Sequence, residues 1–374
     1  MMTEYRPFVP PERTLMGPGP SDVSPQVLNA MCRSTVGHLD PEFIKLMDDT
    51  KRLLQYAFQT ANPLTMPISA PGSAGMEACF VNLVEPGDKV IVCINGVFGQ
   101  RMAENVVRCQ ATPILVEDPW GTQTDPDKVE QALKAHPDAK ILAFVHAETS
   151  TGVRNDAKAL CALARQYHCL TIMDAVTSLG GIEVDIDGWQ VDAAYSGSQK
   201  CLSCVPGLSP VTFSQRAVEL IQNRKTPVQS WFLDMNLIVG YWGQGGKRAY
   251  HHTAPVNSIY ALYESLRILH AEGLAASWQR HHRCHQKLVN GLAAIGLDMA
   301  VDEHYRLPQL NSVLVPENIN EAEIRQRLLN EFNLEIGAGL GKLAGRVWRI
   351  GLMGYGCSDK NVDYCLSSLS TVMN

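Results

Sequence analysis

Short apolar runs alternate with amphipathic segments along the first two thirds of the chain. The apolar runs predict β-strands at residues 89–94, 112–116, 140–145, 169–173, 193–196 and 210–213. The segments between them predict helices at residues 73–84, 100–109, 125–136 and 155–167. Because the runs are apolar at nearly every position, the strands are expected to be buried on both faces. This pattern is typical of an α/β protein with a parallel sheet that helices cover on both sides.

The pattern changes after about residue 256. A long helical region spans residues 257–295, breaks at Glu272-Gly273 and stops before Gly296, which fits a C-terminal cap. A strand at 311–315, a helix at 321–332, a strand at 346–352 and a last helix from Ser358 follow. These elements predict three parts: an N-terminal arm (1–15), a large domain (16–265) and a small C-terminal α+β domain (266–374).

The bulk composition is that of an ordinary globular protein. The chain has 374 residues, of which 45% are hydrophobic and 19% charged, and its net charge is −6. That charge and the lack of a Lys/Arg block argue against nucleic acid as a partner. No apolar run reaches the roughly 18 residues of a membrane helix, and no apolar signal core stands near the start. We therefore expect no membrane partner and a cytoplasmic protein.

Eleven cysteines are scattered along the chain, many of them within apolar runs. They fit buried thiols in a reducing compartment rather than a disulfide framework. Cys201 and Cys204 have a spacing known from redox and zinc sites, but no second pair accompanies them, so we predict no metal there. Residues 281–285 combine three histidines with Cys284, and we interpret them as a solvated helix face rather than a metal site.

One lysine and one aspartate suggest a specific chemistry. Asp174 ends the apolar run 169–173, and Lys200 follows the run 193–196, 26 residues later. In open α/β sheets, ligands lie at the carboxyl ends of the strands, so both side chains are expected in one crevice. A lysine can bind the aldehyde of pyridoxal phosphate, and an aspartate can keep the pyridine nitrogen protonated.

A turn of small residues at 69–75 leads into the helix predicted from residue 73. Free backbone N–H groups and the helix dipole favour an anion at such a place. The Ser73 hydroxyl could add a contact to a phosphate bound there.

Several motifs together resemble the class V, fold-type I pyridoxal phosphate enzymes, and specifically the alanine–glyoxylate and serine–pyruvate aminotransferases. The matching stretches are residues 17–20 (GPGP), 95–101 (NGVFGQR), 146–153 (HAETSTGV), 174–181, 196–200 (SGSQK), 250–253 (YHHT) and 349–352 (RIGL). The resemblance implies a mostly parallel seven-stranded sheet sandwiched by helices, with a smaller C-terminal domain.

The resemblance also implies the cofactor site. Lys200 would carry the cofactor, and Asp174 would face the ring nitrogen. The remaining implied contacts are Val176 and Phe98 on the ring faces, Thr149 near the ring hydroxyl, Gly72, Ser73 and Gln199 at the phosphate, and Tyr250 and Thr253 reaching across from a second subunit. A homodimer with shared active sites follows from the last two.

For the substrate, the resemblance points to Arg349 as the partner of a carboxylate, since its planar guanidinium can bind one bidentately. Gly19 is expected close to the substrate. The implied reaction moves an amino group from alanine or serine to glyoxylate or pyruvate by a ping-pong mechanism.

Two other functions stay open. An (S)-ureidoglycine–glyoxylate aminotransferase would need polar groups to recognise an amide-rich donor, and His38 and Asn257 are candidates for these. A cysteine desulfurase-like lyase shares the fold, but it needs a mobile nucleophilic cysteine and carries a histidine where Phe98 stands here.

Overall fold

The computed structural model describes residues 5–243 and 248–373. The first four residues of the predicted arm and the last residue of the predicted small domain lie outside the described residues. In the first part of the chain the strands are β1 (Thr14–Leu15), β2 (Leu64–Ile68), β3 (Lys89–Ile94), β4 (Thr112–Glu117), β5 (Ile141–Val145), β6 (Ala147–Glu148), β7 (Val153–Arg154), β8 (Leu170–Asp174), β9 (Ala193–Tyr195) and β10 (Ser209–Phe213). The helices there are α1 (Pro25–Met31), α2 (Pro41–Phe58), α3 (Gly72–Leu83), α4 (Val97–Arg108), α5 (Pro126–Ala135), α6 (Ala157–Gln166), α7 (Gln215–Gln222), α8 (Met235–Trp242) and α9 (Val256–Glu272).

A seven-stranded sheet forms the centre of the large domain. Its strand order is β2-β10-β9-β8-β5-β3-β4, and only β10 runs against the other six strands. Helices flank this sheet, so the predicted α/β class with a mostly parallel sheet is confirmed. The strands β3, β5 and β8 are almost wholly buried, which explains why their sequences are apolar on both faces.

The small domain contains β11 (Leu310–Leu314), β12 (Leu334–Glu335), β13 (Gly337–Ala338), β14 (Val347–Gly351), α10 (Leu274–Ala294), α11 (Glu321–Phe332) and α12 (Asp359–Met373). Its three-stranded antiparallel sheet has the order β11-β14-β13. The helices α10, α11 and α12 pack around an apolar core that includes the fully buried Trp348.

The division between the domains differs from the predicted boundaries at two places. The boundary predicted after residue 265 falls inside α9, and Leu266 and Leu269 pack in the core of the large domain. At the other end, β1 pairs in parallel with β12, and Met16 lies in the core of the small domain. The segment around residues 14–16 therefore belongs to the small domain by packing, although it precedes the large domain in sequence.

The interpretation of residues 281–285 as a solvated helix face was wrong. His281, Cys284 and His285 lie on the buried face of α10. The Nε2 atom of His281 accepts a hydrogen bond from the Gly354 N–H at 3.0 Å, so its Nδ1 carries the proton and donates to the Ser277 carbonyl at 2.7 Å. Burial lowers the pKa of His281 to about 4, so this imidazole is a neutral structural group.

The described residues contain neither a cluster suited to a metal ion nor a helix suited to a membrane. Within residues 5–243 and 248–373, no three His, Cys, Asp or Glu side chains gather closely enough to hold a metal ion. Over the same part of the chain, no helix is both long and apolar enough to cross a membrane.

Candidate active site

Asp174 and Tyr195 form the floor of a cleft at the carboxyl edge of the large sheet. They end the neighbouring strands β8 and β9 and pair directly in register. One carboxylate oxygen of Asp174 accepts from the Val176 N–H at 2.8 Å, and the other accepts from the Tyr195 hydroxyl at 2.7 Å. Burial raises the pKa of Asp174 to about 6, although both hydrogen bonds oppose that rise. The carboxylate is thus fixed in orientation before anything binds to it.

Lys200 enters the same cleft from the loop after β9. Its Nζ donates to the Pro18 carbonyl. Its side chain runs along Gly19, where an added Cβ would lie 2.4 Å from Nζ and 2.6 Å from Cδ. Burial, together with the positive charge of Arg349, lowers the pKa of Lys200 to about 8. An amine with a lowered pKa is more often in its neutral, nucleophilic form near neutral pH.

The helix α3 begins at the turn of small residues that the sequence analysis marked as a candidate anion site. No side chain caps this helix at Pro71, and the Ala74 N–H donates to the Pro71 carbonyl at 2.8 Å, so the Gly72 and Ser73 N–H groups are the ones open to a ligand. An added Cβ at Gly72 would lie in ordinary van der Waals contact, 3.5 Å from both Val176 and the Ser196 carbonyl, so Gly72 packs beside these two residues. Ser73 lies at the exposed side of this turn, where its hydroxyl accepts from Arg101 at 3.4 Å.

Gln199 adds an unused polar group beside this cleft. Its side-chain oxygen is buried and has no hydrogen-bond partner among the described residues. Its backbone is anchored, because its carbonyl accepts from the Ser21 N–H at 2.9 Å. Buried polar groups are normally paired, so this oxygen is free to accept a hydrogen bond from a donor group of a ligand.

Phe98 and Thr149 are both positioned by the end of β6 and the turn that follows it. Phe98 lies in the first turn of α4, where the Arg101 guanidinium lies 5.1 Å from its ring centre. The Phe98 N–H donates to Glu148 at 3.2 Å. Thr149 is buried, and its hydroxyl is hydrogen-bonded to that of Thr177 at 2.7 Å.

Glu148 is a buried carboxylate that the sequence analysis did not single out. One of its oxygens accepts from the Ser150 N–H at 3.0 Å and from the Ser150 hydroxyl at 2.5 Å. Burial raises the pKa of Glu148 to about 7, against the effect of these hydrogen bonds. An added Cβ at Gly96 would lie 2.3 Å from its carboxyl carbon, so α4 is packed directly on it. Glu148 therefore sets the position of the helix turn that presents Phe98.

Arg349 reaches the cleft from β14 of the small domain. Its Nε donates to the Ala338 carbonyl at 2.6 Å, and its Nη1 donates to the Thr149 carbonyl at 3.1 Å. Arg349 is only 6% exposed. Burial lowers the pKa of its guanidinium to about 10, which leaves the side chain cationic at neutral pH. No carboxylate forms an ion pair with it among the described residues. Two of its five N–H groups are used, so the others are available to a carboxylate ligand.

Four of the predicted site residues do not meet Lys200 within the single chain. Tyr250 is 63% exposed, and its hydroxyl lies 3.5 Å from that of Thr253, which is also exposed. His38 packs against Tyr250 with ring centres 5.2 Å apart. The Asn257 amide donates to the carbonyl of Met31, the last residue of α1, at 2.9 Å and to that of Arg33 at 2.7 Å. Its oxygen accepts from the Thr35 hydroxyl at 2.6 Å. Asn257 thus fastens a loop of its own chain.

Comparisons with known proteins agree with this geometry. The profile of the family "Aminotransferase class-V" matches residues 23–352. The chain belongs to this family. It is 40% identical to the alanine–glyoxylate aminotransferase of Drosophila melanogaster, over 98% of this chain and 93% of that protein. It is 37% identical to the (S)-ureidoglycine–glyoxylate transaminase of Bacillus subtilis, over 100% of this chain and 93% of that protein.

A solved structure of an alanine–glyoxylate aminotransferase from Nostoc sp. superposes with a TM-score of 0.97 at 47% identity, covering 100% of this chain and 98% of that one. The protein is accordingly a pyridoxal phosphate-dependent aminotransferase of fold type I.

The residues of the cleft fit this cofactor. The N-terminus of α3 suits a phosphate, and the fixed Asp174 carboxylate suits a protonated ring nitrogen. When bound, pyridoxal phosphate supplies an aldehyde that accepts an amine and a cationic ring that withdraws electrons. Lys200, with its lowered pKa, is suited to bind that aldehyde.

Three residues of the site were missed at first. Arg101 stands in the quoted motif 95–101, and its place one helical turn after Phe98 was the available signal. Glu148 stands in the motif 146–153, where a carboxylate between apolar residues was the clue. For Tyr195 there was no such signal, because a tyrosine in an apolar strand is ordinary.

Proposed function

We propose that the enzyme transfers an amino group from a small amino acid, alanine or serine, to glyoxylate or pyruvate. The observation that carries this proposal is the buried, partly unused guanidinium of Arg349. Amino acids and 2-oxo acids share an α-carboxylate, so one cation can hold both substrates in turn. A bidentate arginine–carboxylate pair also fixes the orientation of the substrate Cα.

In the proposed reaction, Lys200 has a second task after cofactor binding. Its Nζ would take the proton from the substrate Cα as a general base, and as a general acid it would give that proton to the cofactor carbon to which the amino group is passed. The pKa of about 8 suits both directions of this transfer at neutral pH. Asp174 would stabilise the proton on the ring nitrogen. Since the donor leaves as a 2-oxo acid before the acceptor enters, initial-rate plots should show the parallel lines of a ping-pong mechanism.

The test of the substrate class is a donor and acceptor screen combined with an arginine variant. Purified holoenzyme is assayed with alanine, serine and ureidoglycine as donors, and with glyoxylate and pyruvate as acceptors. Arg349→Gln should raise KM for donor and acceptor alike, by about tenfold to a hundredfold for one lost charge-assisted contact. The matched control is Arg346→Gln, an exposed arginine three residues earlier. Equal KM values in wild type and Arg349→Gln would contradict the proposal.

The specific rival is transfer from ureidoglycine, which is supported by the 37% identical Bacillus subtilis protein. The intrachain hydrogen bonds of Asn257 speak against it, because an amide with these three bonds has little capacity left to recognise a donor. In the screen, a kcat/KM for ureidoglycine above those for alanine and serine would replace our proposal with this rival.

A cysteine desulfurase-like activity has less support. Ten of the eleven cysteines are buried, and only Cys32 is exposed. Burial raises the pKa of Cys201 and of Cys204 to about 12, so neither is a ready nucleophile or redox centre. Holoenzyme incubated with cysteine should release no sulfide.

We also propose that the protein works in the cytoplasm, and the free cysteines support this.

We further propose a homodimer in which Tyr250 and Thr253 complete the cleft of the partner. The exposure of Tyr250 and Thr253 supports this arrangement. Two more exposed aromatic residues lie close by, since Trp231 packs against His251 and Phe232 against His252. Large exposed aromatic side chains often mark an interface.

Subunit mixing tests this arrangement. Lys200→Ala and Tyr250→Ala chains are inactive or weak alone, but co-refolded chains should regain about one quarter of wild-type activity, since a hybrid dimer has one intact site. If Tyr250 serves its own chain instead, mixing will restore nothing. Light scattering should give twice the chain mass, and a monomer would refute the proposal outright.

A further inference from the structure

A second cavity of about 410 Å³ lies outside the Lys200 cleft. It is bounded by the end of β5, the start of α6, the loop after Ile182 and a turn of the small domain at Tyr305. None of the residues assigned to the Lys200 cleft lines it. The two sites are nevertheless neighbours, because the N–H of His146 in this cavity donates to the Asp174 carbonyl at 3.0 Å.

An unpaired buried imidazole points to a ligand in this cavity. His146 is only 3% exposed, and its Nδ1 has no hydrogen-bond partner among the described residues. Its ring meets that of Trp189 edge to face, with centres 5.3 Å apart and an interplanar angle of 86°. Both rings line the cavity, so they provide an aromatic wall with one unused polar atom.

Charges of both signs line the same cavity without partners of their own. Arg154, Lys158 and Glu183 are exposed residues at this cavity, and none of their side chains forms an ion pair among the described residues. Asp156 is already used, because its carboxylate caps the N-terminus of α6. The two cations stand near this helix start, a place that favours an anion. Glu183 is left as the group that can pair with a cation.

We propose that this cavity binds a free aromatic amino acid, distinct from the substrate in the Lys200 cleft. The ligand carboxylate would pair with Arg154 and Lys158, and its ammonium group with Glu183. Its ring would pack against Trp189 and His146. An anion can use only the two cations and a cation only Glu183, whereas a zwitterion can pair with charges of both signs, so a zwitterion fits this lining best. The volume also lies within the range of small-molecule sites, about 300–1,000 Å³.

Calorimetry on the holoenzyme with three related probes tests this proposal. L-phenylalanine carries both charges, 3-phenylpropionate lacks the amine, and phenethylamine lacks the carboxylate. We expect saturable binding of L-phenylalanine, and at least tenfold weaker binding of each of the other two. Equal binding of all three probes, or no saturation by L-phenylalanine at millimolar concentration, would overturn the proposal.

Variants locate the site. Arg154→Gln and Glu183→Gln should each weaken L-phenylalanine about tenfold, as expected for one lost charge-assisted contact. The matched controls are Arg108→Gln and Glu104→Gln on the exposed face of α4, and these should leave the affinity unchanged. Unchanged affinity in both Arg154→Gln and Glu183→Gln would show that the amino acid binds elsewhere.

One more variant separates this site from the Lys200 cleft. Arg349→Gln should weaken carboxylates in the cleft and leave binding in the second cavity intact. Loss of L-phenylalanine binding in Arg349→Gln, with no loss in Arg154→Gln, would assign the binding to the cleft and refute the second site. The outcome does not depend on which donor the enzyme prefers, so the two proposals can fail separately.

Discussion

Replacing Gly19 with alanine should disable Lys200 while the chain still folds. Gly19 has a φ of +101°, and the side chain of Lys200 lies directly against it. An added Cβ would lie 2.4 Å from Nζ, 2.6 Å from Cδ and 2.9 Å from Cε. The far end of a lysine is flexible, so we expect the lysine to move rather than the backbone.

The size of the effect follows from these distances. Ordinary contacts between heavy atoms are about 3.5 Å, so Nζ must retreat by about 1 Å. A misplacement of about 1 Å in a reacting group can cost about 100-fold in rate, which corresponds to about 2.7 kcal/mol of activation free energy. The positive φ adds a separate cost in folding stability of about 1–3 kcal/mol.

Gly207→Ala is the matched control for this prediction. Gly207 also has a positive φ, +124°, but an added Cβ there meets nothing within 4 Å. Urea unfolding should show a similar loss of stability in both variants. Single-turnover rates with a saturating amino donor should fall about 100-fold in Gly19→Ala alone. The reasoning fails if Gly19→Ala retains wild-type rates, or if Gly207→Ala loses activity equally.

Three further outcomes are expected. Asp174→Asn should lower kcat about 10²–10³-fold, because the charge facing the ring nitrogen is lost. Steady-state rates of protein fully loaded with cofactor measure this loss. A decrease in kcat of less than tenfold would contradict the role assigned to Asp174. The rate at which the apoenzyme binds the cofactor covalently should rise about tenfold per pH unit below pH 8 and level off above pH 8. The reason is that the pKa of Lys200 is lowered to about 8 and only the neutral amine reacts. Stopped-flow absorbance measures this rate, and a plateau reached only near pH 10.5 would refute the lowered pKa. Glu148→Gln should lower the free energy of unfolding by about 1–3 kcal/mol, because the NH₂ group of the new amide must face a backbone N–H donor. Urea unfolding measures this loss, and the exposed Glu104→Gln is the control. Equal stability of the two variants would contradict the role of Glu148.

Much of the fold could be predicted because local signals agreed with tertiary structure. The strands at 89–94 and 193–196 were recognisable from unbroken apolar runs, and the helix break at Glu272-Gly273 was found where the structure has it. The strand β2 was not identified, because Thr65 and Pro67 interrupt its apolar run. Its partner β10 is distant in sequence, and only that pairing makes the segment a strand.

The candidate site was predictable where a residue acts alone and not where it acts through contacts. Lys200 and Asp174 stand out because their chemistry is distinctive at the ends of strands. Glu148 and Tyr195 matter through partners that the chain brings together only on folding, namely Phe98 and Asp174. The error at residues 281–285 has the same origin, since the burial of polar side chains on α10 depends on hydrogen bonds to distant backbone.

The central claim is that Lys200 carries the cofactor, and borohydride reduction followed by peptide mapping tests it most directly. Holoenzyme reconstituted with pyridoxal phosphate is reduced, digested and analysed by mass spectrometry. We predict one modified lysine, Lys200, and loss of the modification in Lys200→Ala. A modification on another lysine, or none at all, would contradict the assignment on which the proposed reaction depends.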